Sequence, residues 1–114
     1  MVTLYGIKNC DSVKKAMKYL DELNIEYTFF DYKKQLPSAD LLASWVAEFG
    51  WDTVLNKRGT TYRKLDENIK QSLNADTVTE VLLANPSAIK RPILSTQKTT
   101  LIGFNADEYA NTLK

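Results

Sequence analysis

Two rhythms of hydrophobic positions run through the chain. The stretch "VTLY", residues 2–5, alternates and is β-branched and aromatic, which predicts a strand. From Val13 the apolar residues recur at Ala16, Met17, Leu20 and Leu23, the spacing of one helix face. Lys14, Lys15, Lys18, Asp21 and Glu22 fall on the other face. In "LNIEYTFFDY" a strand pattern returns around Tyr27 to Phe30. A β-α-β order at this length favours a parallel pair of strands joined by a right-handed crossover.

The middle of the chain is helical in pattern. In "LPSADLLASWVAEFG", Ser38 can cap a helix, and Leu41, Leu42, Trp45, Val46 and Phe49 form its apolar stripe. Gly50 stands where a helix-terminating glycine belongs. The polar stretch "WDTVLNKRGTTYRKLD" predicts a short helical turn followed by an ordered loop. "DENIKQSL" and "DTVTEVLLANP" predict two short helices, the second starting at Asp76 or Thr77 and closed by Pro86. Strands follow in "KRPILS", with Pro92 at the first position, and in "TTLIGF", joined as a hairpin through "TQK". "NADEYANTLK" opens a last helix with Asn105 and with Glu108 three residues on, a capping-box spacing. The order is β-α-β, a helical stretch, then β-β-α. It predicts an α/β fold whose sheet has about four strands, in the thioredoxin-like order. On this basis the chain is a single domain, residues 1–114, with a helical insertion over about residues 36–88.

Composition narrows the function. At 114 residues, 44% hydrophobic and 25% charged, the chain has the make-up of one globular domain. A net charge of +1 argues against a protein whose main task is gripping nucleic acid, which needs clustered excess Lys and Arg. No apolar run approaches the roughly 18 residues of a membrane span, and "MVTLYGIKN" lacks the pattern of a signal peptide. A cytoplasmic monomer without membrane or nucleic-acid partner is the expectation. The chain has one cysteine and no histidine. A Ser-His-Asp triad, a Cys-His pair, the usual zinc sites and an intrachain disulfide are therefore unavailable. The four glycines form no phosphate loop, and no bound cofactor or metal is expected.

The chemistry left points to Cys10, in "GIKNCDSVKKA". It falls at the carboxyl end of the first strand and the start of the first helix, the edge where open α/β sheets bind ligands. First-turn amides have no intrahelical partner, and a partly buried helix start is worth about 0.5 to 2 kcal/mol to an anion held there. A nearby cation adds to that. The competing reading is a small buried hydrophobe. Helical phase counted back from Val13 places the stripe at Lys8 and Asn9, not at a strongly apolar site, which favours a reactive thiol.

Three motifs, "LYGIKNCDSVKKA", "LNKRGTTYRKLD" and "KRPIL", strongly resemble the ArsC-like family, in particular its small YffB type, relatives of arsenate reductase and of the Spx regulators. The resemblance spans Val2 to the C-terminal helix. It implies a thioredoxin-like fold and a catalytic cysteine at Cys10. It also implies that Arg91 is the family arginine facing an anion near the thiol, and that Pro92 stands where this fold commonly has a cis-proline. Arsenate reductases of this family use three arginines; here the first falls on Asn56 and the third near Phe104, with Arg58 close to the former. Each lost charge-assisted donor is worth about 1.5 to 3 kcal/mol, which argues against arsenate as substrate. Spx-type regulators carry Cys-x-x-Cys; here the second position is Val13, so no internal disulfide switch can form.

What this implies is a monothiol oxidoreductase with Cys10 and Arg91 as catalytic residues and glutathione as co-substrate. Ser12, Arg58, Thr60, Arg63 and Pro92 are the candidate substrate-binding residues. Arsenate reduction and a non-enzymatic Spx-like role with a protein partner are the alternatives. The blander readings stand beside these. Arg58, Arg63 and Lys64 suit a solvated basic loop, and Gly59 suits turn geometry. Trp45, Trp51 and Tyr62 suit helix packing, Tyr5 suits strand packing, and Asp11 suits a first-turn charge.

Overall fold

The computed structural model describes residues 2–113. Its sheet has four strands, β1 (Thr3–Gly6), β2 (Thr28–Asp31), β3 (Ile93–Ser95) and β4 (Thr100–Ile102), in the order β2-β1-β3-β4. β1 and β2 are parallel, with Tyr5 beside Phe30 and Gly6 beside Asp31. β3 runs antiparallel to β1, with Tyr5 beside Ile93, and β4 antiparallel to β3. The helices are α1 (Asp11–Glu22), α2 (Ala39–Phe49), α3 (Trp51–Val54), α4 (Thr60–Arg63), α5 (Glu67–Gln71), α6 (Val78–Ala84) and α7 (Ala106–Leu113), with a 3₁₀ turn at Pro86–Ala88. This is the thioredoxin-like α/β order that the sequence pattern predicts. One segment differs. The expected loop after α3 contains α4, a single helical turn whose Arg63 N–H donates to Gly59 O at 3.3 Å.

Local chemistry sets the element ends. Ser38 Oγ accepts the Leu41 N–H at 3.1 Å and starts α2, which stops at Gly50, φ 91°. Asn105 Oδ1 accepts the Glu108 N–H at 3.0 Å and starts α7. α1 ends in a Schellman turn. Asn24 takes the left-handed conformation, φ 57°, while Ile25 N–H donates to Leu20 O and Asn24 N–H to Asp21 O. Asparagine tolerates that conformation better than a branched residue, and the turn sends the chain back toward β2.

The chain divides into two compact units, Met1–Gln35 with Arg91–Lys114, and Leu36–Lys90. In the first, α1 and α7 bury one face of the sheet, and Leu4, Val13, Ala16, Leu20, Leu94 and Tyr109 form the core. Tyr19 and Phe104 close over Tyr109 edge-on, the Phe104 and Tyr109 centroids 4.9 Å apart. In the second, α2 packs on α3 and α6, and Leu42, Trp45, Val54, Val78, Leu82 and Ile89 are buried.

Two buried phenols, Tyr32 and Tyr109, have hydroxyls without a hydrogen-bond partner. Burial pushes both well above the ordinary tyrosine range; Glu108 adds to this at Tyr109, and Tyr5 adds at Tyr32 against an opposing Arg91. Above about pH 10 the unfolded chain releases these protons and the folded chain keeps them. Folding then weakens by about 1.4 kcal/mol per pH unit for each phenol. Tyr109→Phe removes a buried hydroxyl that gains nothing, so it is expected to stabilise the protein by about 1 kcal/mol at neutral pH. It is also expected to flatten the loss of stability above pH 10. Chemical denaturation across pH checks both.

Candidate active site

β1 ends at Gly6, and the chain turns through Ile7, Lys8 and Asn9 into α1. Cys10 is the N-cap residue, in an extended conformation with φ −124° and ψ 128°. Its carbonyl accepts the Lys14 N–H at 2.9 Å, which starts the helical ladder. Its side chain makes no capping bond, so the sulfur is not committed to the helix it begins. The residue is half-buried and packs against the core cluster on one side. That differs from the sequence expectation of a site off the apolar stripe. An extended N-cap does not obey the angular phase of the helix it precedes, so phase counted back from Val13 does not locate it. Ser12 lies exposed in the first turn and Asp11 precedes it.

Gly6 is what lets this turn close. A Cβ there would lie 2.7 Å from Val13 Cγ2 and 3.7 Å from Arg91 Cβ. One strand-end glycine thus brings together the first turn of α1 and the segment leading into β3. Continuing the β1–β3 register by one residue sets Gly6 opposite Pro92. The Arg91–Pro92 peptide is cis, and Pro92 is buried. Tyr32, just beyond β2, donates its N–H to Gly6 O at 3.0 Å. Three residues separate Gly6 from Cys10, so Cys10, Ser12, Arg91 and Pro92 share one end of the sheet. Sequence reading passed over Gly6 and Tyr32. A glycine directly after a strand and before a helix start was the available signal for the first.

Arg58, Thr60 and Arg63 belong to the Leu36–Lys90 unit. Asn56 Oδ1 accepts the Arg58 N–H at 3.3 Å, and Gly59 is the N-cap of α4. A Cβ on Gly59 would sit 3.0 Å from Asn56 Nδ2, so glycine suits this tight turn. Arg58, Thr60 and Arg63 are exposed. Arg63 O accepts Lys70 Nζ at 3.1 Å, and that ammonium also lies 5.2 Å from the Tyr62 ring. Trp45 is buried, whereas Trp51 is half-buried under Lys57 Nζ at 4.8 Å. Among the described residues no group of three or more His, Cys, Asp or Glu side chains is placed to hold a metal. No described helix is long and apolar enough to cross a membrane.

The sequence profile of the ArsC family matches residues 5–112. The chain belongs to the ArsC family. An uncharacterized protein of Haemophilus influenzae is 50% identical over 109 residues, 96% of each chain. The global transcriptional regulator Spx 1 of Oceanobacillus iheyensis is 34% identical over 110 residues, covering 95% of this chain and 83% of that one. Among solved structures, the YFFB (PA3664) protein superposes with a TM-score of 0.96 at 49% identity over the whole of both chains. An arsenate reductase (ArsC) related protein from Brucella melitensis gives 0.75 at 42% identity, over 99% of this chain and 94% of that one. The glutaredoxin of Archaeoglobus fulgidus, 12% identical with a TM-score of 0.50, shares the fold alone. The ArsC-family chain therefore combines a thioredoxin-like fold, its one cysteine at the start of α1, and relatives named both as arsenate reductase related and as regulators.

Proposed function

We propose that this ArsC-family protein is a glutathione-dependent thiol oxidoreductase working through Cys10 alone. What carries this reading is the place of the single thiol. It caps α1 with its sulfur uncommitted, at the sheet end that also holds Arg91 and the cis Pro92. In the first step the Cys10 thiolate attacks the glutathionyl sulfur of a mixed disulfide. A Cys10–glutathione disulfide forms, the substrate's S–S bond breaks, and the released thiolate takes a proton from water. In the second step a glutathione thiolate attacks the glutathionyl sulfur. Glutathione disulfide leaves and the Cys10 thiolate returns. In sum the mixed disulfide and one glutathione thiol become the substrate thiol and glutathione disulfide, and no second protein cysteine is needed.

Arg91 orients the anionic end of the glutathionyl group, and Pro92 walls the sulfur. Ser12 and the first-turn amides stabilise the leaving thiolate. With Asn56 and Phe104 where arginines stand in arsenate reductases of this family, arsenate is a poor substrate. The test is reduction of a glutathionylated peptide, coupled to glutathione reductase, with Cys10→Ser as control. Turnover by the wild type and at least about a thousandfold less in Cys10→Ser is expected. Equal turnover in the serine variant would remove Cys10 as nucleophile, and arsenate turned over as fast as disulfide would favour the reductase reading.

A second reading rests on the 34% identity to a transcriptional regulator. In that case the protein acts by binding a protein partner. Its activity would then survive Cys10→Ser, since Val13, buried at the second position of the Spx-type Cys-x-x-Cys, rules out an internal redox switch.

A further inference from the structure

The Leu36–Lys90 unit contains a concavity of about 330 Å³, lined by Asp52, Thr53, Leu55, Asn56, Lys57, Arg58 and Lys90. Its frame is fixed by backbone bonds. Leu55 and Ile89 form an antiparallel bridge, flanked by Asn56 N–H to Ala88 O and Lys90 N–H to Val54 O, both at 2.7 Å. Asn56, Lys57 and Arg58 leave one segment of that bridge and Lys90 the other. Among the described residues no carboxylate stands within ion-pair distance of Lys57, Arg58 or Lys90. Lys57 rests instead on the Trp51 ring, 4.8 Å from its centroid.

A basic loop on a convex surface would be ordinary, because its charges are separately solvated. Here three cations and one carboxylate line a single concave wall, and a recess with a net excess of one sign concentrates counter-ions. The surplus is two positive charges. Thr53 and Asn56 contribute neutral polar groups to the same lining. We propose that this concavity is an oxyanion site for a small dianion, bound through carboxylate or phosphoryl oxygens by Lys57, Arg58 and Lys90. Asp52 offsets one of the three positive charges, and the guanidinium of Arg58 gives the planar fork that recognises two oxygens at once.

Trp51 supplies the readout. An anion that takes Lys57 draws its ammonium off the indole face, which changes Trp51 emission. The experiment is a fluorescence titration at constant ionic strength with inorganic phosphate and, separately, with succinate. It is run on the Cys10→Ser protein, so its result does not depend on the thiol chemistry proposed above. A Trp51→Phe control separates the signal from the buried Trp45. A saturable change is expected, weakened about tenfold or more in each of Arg58→Gln and Lys90→Gln. Saturation by phosphate alone assigns a phosphoryl ligand, by succinate alone a dicarboxylate, and by both the shared oxyanion chemistry. No saturable change with either probe, or one that survives Arg58→Gln together with Lys90→Gln, overturns the site. Hydrogen exchange of the double variant, unchanged at Leu55 and Asn56, shows that the frame is intact when binding is lost.

Discussion

Gly6→Ala is expected to destabilise the protein by about 1 to 3 kcal/mol and to lower its thermal midpoint by several degrees. The sign comes from two opposed effects. Alanine within a strand is favoured over glycine by about 0.5 to 1 kcal/mol. Against this, the new methyl would stand 2.7 Å from Val13 Cγ2. Val13 is fully buried and β-branched, so it can neither swing away nor change rotamer cheaply. Overpacking wins. Val13→Ala alone leaves a cavity and also destabilises. The Gly6→Ala, Val13→Ala pair is expected to cost less than the sum of the two, because each change makes room for the other. Thermal unfolding of the four proteins in that cycle checks the prediction, and strict additivity would show that the Gly6–Val13 approach does not set the cost. Activity should fall further than stability does, since the displaced first turn of α1 is the one Cys10 begins.

Arg91→Ala is expected to reduce kcat/KM for a glutathionylated substrate by roughly 10- to 150-fold, the loss of one charge-assisted contact worth about 1.5 to 3 kcal/mol. Arg91→Lys should recover part of this, because it keeps the charge and loses the planar fork. Steady-state kinetics with glutathionylated peptide and with a neutral dialkyl disulfide separate the roles. If Arg91 orients the anionic group, only the glutathionylated substrate suffers. An equal loss with both would instead give Arg91 a role at the sulfur itself or in holding the fold.

Much of the architecture was legible from periodicity. The stripe of α1 marked Val13, Ala16 and Leu20, all fully buried, and the strands fall within a residue or two of their alternating patterns. α4 was not legible because four residues cannot display a helical period, and its start depends on the Asn56–Gly59 turn. The Schellman turn at Asn24 was hidden for a related reason: asparagine carries a weaker stop signal than glycine. The thiol's position at the start of a helix could be read directly. Its partial packing on the core could not, since an N-cap leaves the helical phase. The approach of Arg91 and Pro92 to Gly6 depends on β3 pairing with β1, a contact between residues far apart in the chain. It becomes visible only once the register is known. Chemical type alone groups Arg58, Thr60 and Arg63 with Cys10, whereas the structure places them in the other compact unit.

The most direct test of the monothiol account is the intact mass of the protein, acid-quenched during turnover with a glutathionylated peptide and limiting glutathione. A fraction of the wild-type chain should carry one glutathionyl group at Cys10. That fraction should form at least as fast as product appears and shrink as glutathione is raised. Turnover that proceeds while the quenched chain stays unmodified, or an adduct that forms more slowly than product, would contradict it.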